Sequence, residues 1–201
     1  MLENKIIIVF EGMDGVGKTT MADRIQLKLI ETLPVNDFIV HGSLHDTDYL
    51  QDRNKFLEDI NINPIGDMLE ITAARARKMD HIRMQLELNK NKKHIFLLDR
   101  HNMSTEVYQG QAGVPMEWIF QVNAWVSNGI IPDFIFIIGA EGSHPLNDMY
   151  LDKLHLPSVY LIPRGLEGEA QVMLKVMEKL DETDQQFMMR EMIDRLEERS
   201  R

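Results

Sequence analysis

The sequence contains no cysteine. That excludes a disulfide framework, thiolate metal sites and a cysteine nucleophile, and it fits a reducing compartment. Glycine and proline are modest, 12 and 7 in 201 residues, so the chain is neither fibrous nor low-complexity. Basic residues are outnumbered, 22 Lys+Arg against 32 Asp+Glu, for a formal net charge of -10. Such a chain is a poor general binder of nucleic-acid backbones, although a local basic cleft can still hold a small phosphate ligand. Long apolar runs are missing too. The longest early one, residues 6–10, ends at Glu11, which suits neither a membrane span nor a signal peptide. The expectation is a soluble cytoplasmic protein with no nucleic-acid or membrane partner.

What is present is alternation. Short apolar runs at residues 6–10, 38–40, 95–98, 134–138 and 159–162 read as strands. Their near-continuous Ile/Leu/Val/Phe content fits parallel strands covered on both faces. Helical spacing links Ala22, Ile25, Leu29 and Leu33, and links Met68, Ile71, Met79, Ile82 and Leu86. Pro115 opens a further helix that stops near Gly129, and the last forty residues read as two helices ending in a solvated charged tail, 197–201. Strand alternating with helix predicts an α/β fold with a parallel sheet. No repeat or linker-like stretch divides the chain, so residues 1–201 are expected to form one domain. His41 and His45 are placed in a loop, and the methionines of the last two helices are read as packing.

Gly12-Met13-Asp14-Gly15-Val16-Gly17-Lys18-Thr19 fits the phosphate-loop pattern in full, with a strand before it and an amphipathic helix after it. Glycines let backbone N–H groups converge on phosphate oxygens, and the helix N-terminus adds partial positive charge. Lys18 is then expected to reach the β- and γ-phosphates and Thr19 to ligate Mg²⁺, with Thr20 completing the ATP-binding loop. Asp99, at the carboxyl end of a buried strand, is the matching second Mg²⁺ ligand. Arg75 falls at the centre of the apolar stripe on the middle helix. A guanidinium there must pair with a carboxylate, reach solvent, or face a polar ligand.

The segment Asp99-Arg100-His101-Asn102-Met103-Ser104-Thr105-Glu106-Val107-Tyr108-Gln109-Gly110 resembles the DR…S…AYQG segment of thymidylate kinases. Residues 10–20 resemble that family's FEGxDGxGKTT loop, and Ala73-Ala74-Arg75 and Pro132-Asp133-Phe134 follow in the expected order. The resemblance, over residues 4–140, implies a P-loop kinase fold: a five-stranded parallel sheet flanked by helices on both faces. It implies transfer of the ATP γ-phosphoryl group to a deoxynucleoside monophosphate, dTMP or a 5-substituted dUMP, by a homodimer using Mg²⁺. By the same resemblance Arg100 grips the acceptor phosphate. Asp14 faces the sugar 3′-hydroxyl and that phosphate, with Glu11 close by. Arg75 reads the pyrimidine edge with Thr105 and Gln109, Ser104 lines the acceptor site, and Tyr108 presses on the deoxyribose.

Three departures from the family pattern bear on the acceptor and the rate. Ile71 stands where the family stacks an aromatic ring on the base. The arginine-containing segment after the second strand is absent, so either the acceptor phosphate loses one cationic partner or Arg53 substitutes. No arginine occurs in the phosphate loop or in the shortened lid, residues 139–156, where Lys153 is the one formal cation. Lys153 is therefore expected to join Lys18, Asp14 and Arg100 as a catalytic residue, and Arg164 to lie against the adenine. Two further readings stay open: a deoxynucleoside kinase with Glu11 as base, and a non-catalytic nucleotide-binding module.

Overall fold

The computed structural model describes residues 4–49, 63–139 and 144–199. β1 (Lys5–Glu11) leads through the phosphate loop into α1 (Lys18–Thr32). β2 (Phe38–His45) follows and ends in a turn of 3₁₀ helix, Asp46–Tyr49. After α2 (Pro64–Leu88) come β3 (Lys93–Asp99), α3 (Asn102–Gln111) and α4 (Met116–Ser127). β4 (Phe134–Ile138) is followed by α5 (Pro145–Leu151) and a second 3₁₀ turn, Asp152–His155. β5 (Val159–Ile162), α6 (Leu166–Lys179) and α7 (Glu182–Arg199) complete the described chain. The five strands form one sheet in the order β2-β3-β1-β4-β5, and every pairing is parallel.

Successive β1 side chains enter opposite cores, as strand pleating demands. Ile6, Ile8 and Phe10 pack with α1, α6 and α7 through Ile25, Leu29, Val172 and Met188. Ile7 and Val9 pack with α2 through Met79, Ile82 and Leu86. α3 and α5 extend that second face, where Met103, Val107, Leu146 and Tyr150 meet Ile137. The α/β fold with helices on both faces is thus as expected. No described helix is long and apolar enough to cross a membrane.

The strands at 134–138 and 159–162 and the helix after Pro115 stand where the sequence puts them. Two expectations are corrected. The second strand does not stop at Val40 but runs to His45, so His41 and His45 are strand residues rather than loop residues. Its polar second half is held by ladder bonds to β3, with a register shift between His41 and Ser43. The charged tail is helical as far as Arg199. Of the C-terminal methionines, Met173 and Met188 are buried as packing, whereas Met189 is exposed.

His41 lies flat on Phe96, ring centroids 4.1 Å apart, and its Nε2 is 3.0 Å from Nδ1 of buried His94. His94 Nε2 is 3.1 Å from the Asn89 carbonyl oxygen, which only accepts, so that nitrogen carries the proton and Nδ1 accepts from His41. Burial, then His94 and His81, push the His41 pKa down to about 4. An unfolded histidine titrates near ~6.5. Between these values the unfolded chain takes up a proton that the native ring refuses, so stability falls as pH falls through the window. Allowing for partial solvent contact, the loss between pH 7 and pH 5 is about 1 kcal/mol. Urea unfolding of His41→Gln should show a correspondingly shallower pH dependence; an unchanged slope would remove His41 as its source.

Candidate active site

The parallel sheet brings the carboxyl ends of β1, β3 and β2 to one edge, with Phe10 and His45 both in register with Asp99. Open α/β sheets bind ligands at that edge. The phosphate loop leaves β1 through Gly12, at φ 132, where a Cβ would stand 3.0 Å from the Ile138 carbonyl oxygen. It closes at Gly17, φ 94, in the left-handed region that favours glycine. α1 then begins with no side-chain cap and no acid in its first turn. Its first N–H groups are therefore left for an anion. The Lys18 ammonium, buried and donating to the Met13 carbonyl at 2.7 Å, is depressed in pKa by that burial. Val16 turns inward and packs in the core. Gly15, Thr19 and Thr20 are exposed.

Thr19 Oγ1 donates to Asp99 Oδ2 at 2.5 Å. Asp99 Oδ1 is buried without a hydrogen-bond partner, and the His45 Nε2 stands 4.0 Å from it. A hydroxyl beside an under-satisfied carboxylate is an oxygen donor set that fits Mg²⁺ held mainly by nucleotide phosphates. No cluster of three or more His, Asp or Glu that could hold a metal by itself occurs among the described residues.

Beside this loop lies a cleft of about 340 Å³. Every acceptor residue expected from the sequence lines it, namely Asp14, Ile71, Arg75, Arg100, Ser104, Thr105, Tyr108 and Gln109, except Glu11. Arg100 takes a left-handed backbone, φ 69. Its guanidinium pairs with Asp14, donates to Ser104 Oγ at 2.8 Å, and lies 3.2 Å from each of the Tyr108 and Tyr150 hydroxyls. Burial works against its charge, but Tyr150, Glu11, Tyr108 and Asp14 outweigh burial and raise the pKa. Burial opposes ionisation of Asp14 as well, and Arg100 overrides it, lowering that pKa.

Glu11 lies beneath the cleft instead of in it, with no exposed surface. Its Oε1 accepts from the backbone N–H of His101 at 2.8 Å and of Ser104 at 3.3 Å. Oε2 accepts from Ser104 Oγ at 2.5 Å and Tyr150 OH at 3.5 Å. Burial raises its pKa despite these donors. At the far end Arg75, wholly buried, donates through Nε and Nη2 to Asp46 Oδ2 at 3.2 and 2.8 Å. Its Nη1 donates to Thr105 Oγ1 at 2.7 Å and Asn123 Oδ1 at 3.4 Å. The carboxylate pairing left open by the sequence therefore exists, and Arg75 also lines the cleft. Burial opposes the Asp46 charge, yet Arg75 and Lys78 hold its pKa down at about 2. Gln109 donates to Asp67 at 2.8 Å.

One expected catalytic cation stands elsewhere. Lys153 is paired with Glu106 of α3 at 2.6 Å and is not among the residues lining the cleft. Its ammonium fastens the lid segment to α3. Arg164 is exposed in the turn after β5. Arg53 lies outside the described residues. Asp46, Lys78, Tyr150 and Asp67 were not anticipated. Lys78, three residues after Arg75 on the same helix face, carried a signal in its spacing. The other three join the site through distant contacts.

A phosphate loop facing an arginine-bearing cleft across one sheet edge is the arrangement of a P-loop nucleotide kinase, with separate places for donor and acceptor. The thymidylate kinase family model matches residues 10–147. The thymidylate kinase of Mycoplasmopsis agalactiae is 27% identical over 205 aligned positions, covering 87% of this chain and 94% of that protein. That of Pelodictyon phaeoclathratiforme is 31% identical, covering 82% and 71%. The crystal structure of thymidylate kinase from Ehrlichia chaffeensis superposes with a TM-score of 0.67 at 25% identity, covering 87% of this chain and 98% of that one. The chain belongs to the thymidylate kinase family. It is accordingly a nucleoside monophosphate kinase, which transfers a phosphoryl group to a nucleoside monophosphate.

Removing the Glu11 carboxylate strands buried donors at the start of α3. Each unpaired buried group costs about 1–3 kcal/mol, so Glu11→Ala should lose about 3 kcal/mol in urea unfolding. Glu11→Gln, which keeps an acceptor, should lose less. An alanine variant as stable as the wild type would show that Glu11 anchors nothing.

Proposed function

We propose that the chain transfers the γ-phosphoryl group of ATP, with Mg²⁺, to dTMP or to a dUMP substituted at C5. The observation that carries this reading is the engagement of Glu11. A nucleoside 5′-hydroxyl needs a carboxylate base to take its proton, and Glu11 is sealed under the cleft by four donor contacts. A phosphate monoester is already largely deprotonated near neutrality, its second pKa being ~6, and needs no base. An oxygen of the acceptor phosphate attacks the γ-phosphorus, the bond from that phosphorus to the β–γ bridging oxygen breaks, and ADP leaves.

In this reading the acceptor phosphate displaces Asp14 from the Arg100 guanidinium, while Ser104 and Tyr108 keep that side chain aligned. Arg75 has most of its N–H groups committed to Asp46, Thr105 and Asn123, so it offers the base edge a single remaining donor. Ile71 covers the base face without the geometry of an aromatic stack. Thr19 and Asp99 would hold Mg²⁺, which offsets charge on the transferring group. Lys18 would move from the Met13 carbonyl to the β- and γ-phosphates. A homodimer is supported by α4, where Trp118 and Trp125, seven residues apart on one face, are 47% and 73% exposed. The composition supports a cytoplasmic setting.

Coupled measurement of ADP release across dTMP, dUMP, dCMP and thymidine tests the reading. dTMP should be the best of the four, and better use of thymidine would overturn it. Lys18→Ala should abolish turnover without unfolding the protein. Arg100→Ala should raise the dTMP dissociation constant about tenfold to a hundredfold, the worth of a charge-assisted contact, and leave ATP binding unchanged. Equal loss of both would remove Arg100 from the acceptor side. With Lys153 held by Glu106, wild-type turnover should fall below the ~1–100 s⁻¹ usual for kinases.

A further inference from the structure

Lys78 has no exposed surface, and Asp46, its carboxylate partner, is shared with Arg75. Two cations thus face one anion at the buried floor of the cleft. Burial and Arg75 both depress the Lys78 pKa, which Asp46 and Glu11 only oppose. An arrangement chosen for stability alone would not keep this ammonium, because an apolar side chain of like shape would leave a matched Arg75–Asp46 pair. Its three N–H groups go elsewhere than the core: Nζ is 2.5 Å from Asp46 Oδ1, 3.0 Å from the Arg100 carbonyl oxygen and 3.5 Å from the Leu44 carbonyl oxygen. These are the ends of β2 and β3 and the turn that follows β2.

The Arg100 contact is the informative one. Arg100 leaves β3 at φ 69, a backbone region disfavoured for a residue with a Cβ. Its N–H donates to the Phe10 carbonyl at 3.0 Å, and its carbonyl is turned toward α2 and met by Lys78. The peptide unit on one side of Arg100 is held by β1 and that on the other by Lys78. This conformation aims the guanidinium at Asp14, Ser104 and Tyr108.

Resting on the reading of the cleft as the acceptor site, we propose that Lys78 is a positioning residue for phosphoryl transfer. Its buried ammonium holds the Arg100 backbone and the Asp46 carboxylate, and so ties the phosphate-binding end of the cleft to its base-facing end.

Lys78→Met separates this role from a structural one. The variant should melt no lower than the wild type, bind dTMP at least tenfold more weakly by calorimetry, and bind ATP within twofold of the wild type. A folded variant with both affinities unchanged, or with both equally reduced, would overturn the proposal. A crystal structure of the variant gives a readout that needs no substrate. Arg100 should leave the left-handed region, and an unchanged φ would also overturn the proposal. Should wild-type protein fail to bind dTMP, the functional reading falls while the Arg100 backbone still decides the role of Lys78. If Lys78→Met does not fold, Lys78→Gln, which keeps a donor, takes its place under the same criteria. Failure of both to fold would make Lys78 a folding residue and overturn the positioning role.

Discussion

The carboxylate of Glu11 is the joint between the sheet and the acceptor side of the cleft. A buried carboxylate is expensive unless its lone pairs are met, and here the donors come from the start of α3 and from α5. The helix N-terminus also offers partial positive charge to an anion placed there. β1 thereby fixes where α3 begins, and α3 in turn carries Ser104, Thr105, Tyr108 and Gln109 along one wall. The Tyr150 hydroxyl closes the circuit, 3.1 Å from Ser104 Oγ and 3.2 Å from the Arg100 guanidinium. That anchor adds a polar tie to β1 to the apolar packing of α3 through Met103 and Val107.

The second constraint is charge. The cleft's cations are paired from within: Asp14 sits on Arg100, and Asp46 is shared by Arg75 and Lys78. The two carboxylates differ in the way their tasks require. Asp14 is mostly exposed, at the mouth of the cleft, and on the proposed function an incoming acceptor phosphate would displace it into solvent. Asp46 is buried and stays. On the proposed assignment of the cleft, the phosphate end would thus be exchangeable and the base end permanent. Binding energy at the phosphate end is measured against a solvated ion pair, while the base end is preorganised before any ligand arrives.

What could be read from sequence divides along range of interaction. The phosphate loop, the strands at 134–138 and 159–162 and the helix after Pro115 are local patterns of glycine, apolar runs and caps, and they stand where expected. The second half of β2 was not legible because His41, Gly42, Ser43 and His45 have no apolar run; only pairing with β3 makes it strand. Among the expected acceptor residues, those inside matching motifs line one cleft, apart from Glu11. Asp46 was not anticipated, since its meaning lies 29 residues away at Arg75, nor was Tyr150, 50 residues from Arg100. Lys78 shares the buried stripe with Arg75, yet a lysine in an apolar stripe reads as a side chain reaching for solvent. The structure turns it inward instead.

The lid shows what this arrangement gives up. α5 docks through Leu146 and Tyr150 into the core formed with α3, and Lys153 adds an ion pair to Glu106 on the same helix. Both contacts fasten the segment down beside the Arg100 guanidinium, which Tyr150 meets at 3.2 Å. A cation that is to follow developing charge must be free to approach the transferring group and must form its contact mainly in the transition state. Lys153 is already committed to a carboxylate, and a lone ammonium lacks the planar fork with which arginine grips phosphate oxygens. On the proposed function, the lid would therefore contribute order to ground-state acceptor binding. Charge stabilisation would then fall to the donor side, to Lys18 and the N-terminus of α1, which would act on the nucleotide whatever the acceptor. On the proposed function, selectivity and rate would then be carried by different elements of the fold: α2 and α3 for the acceptor, the phosphate loop for the chemistry.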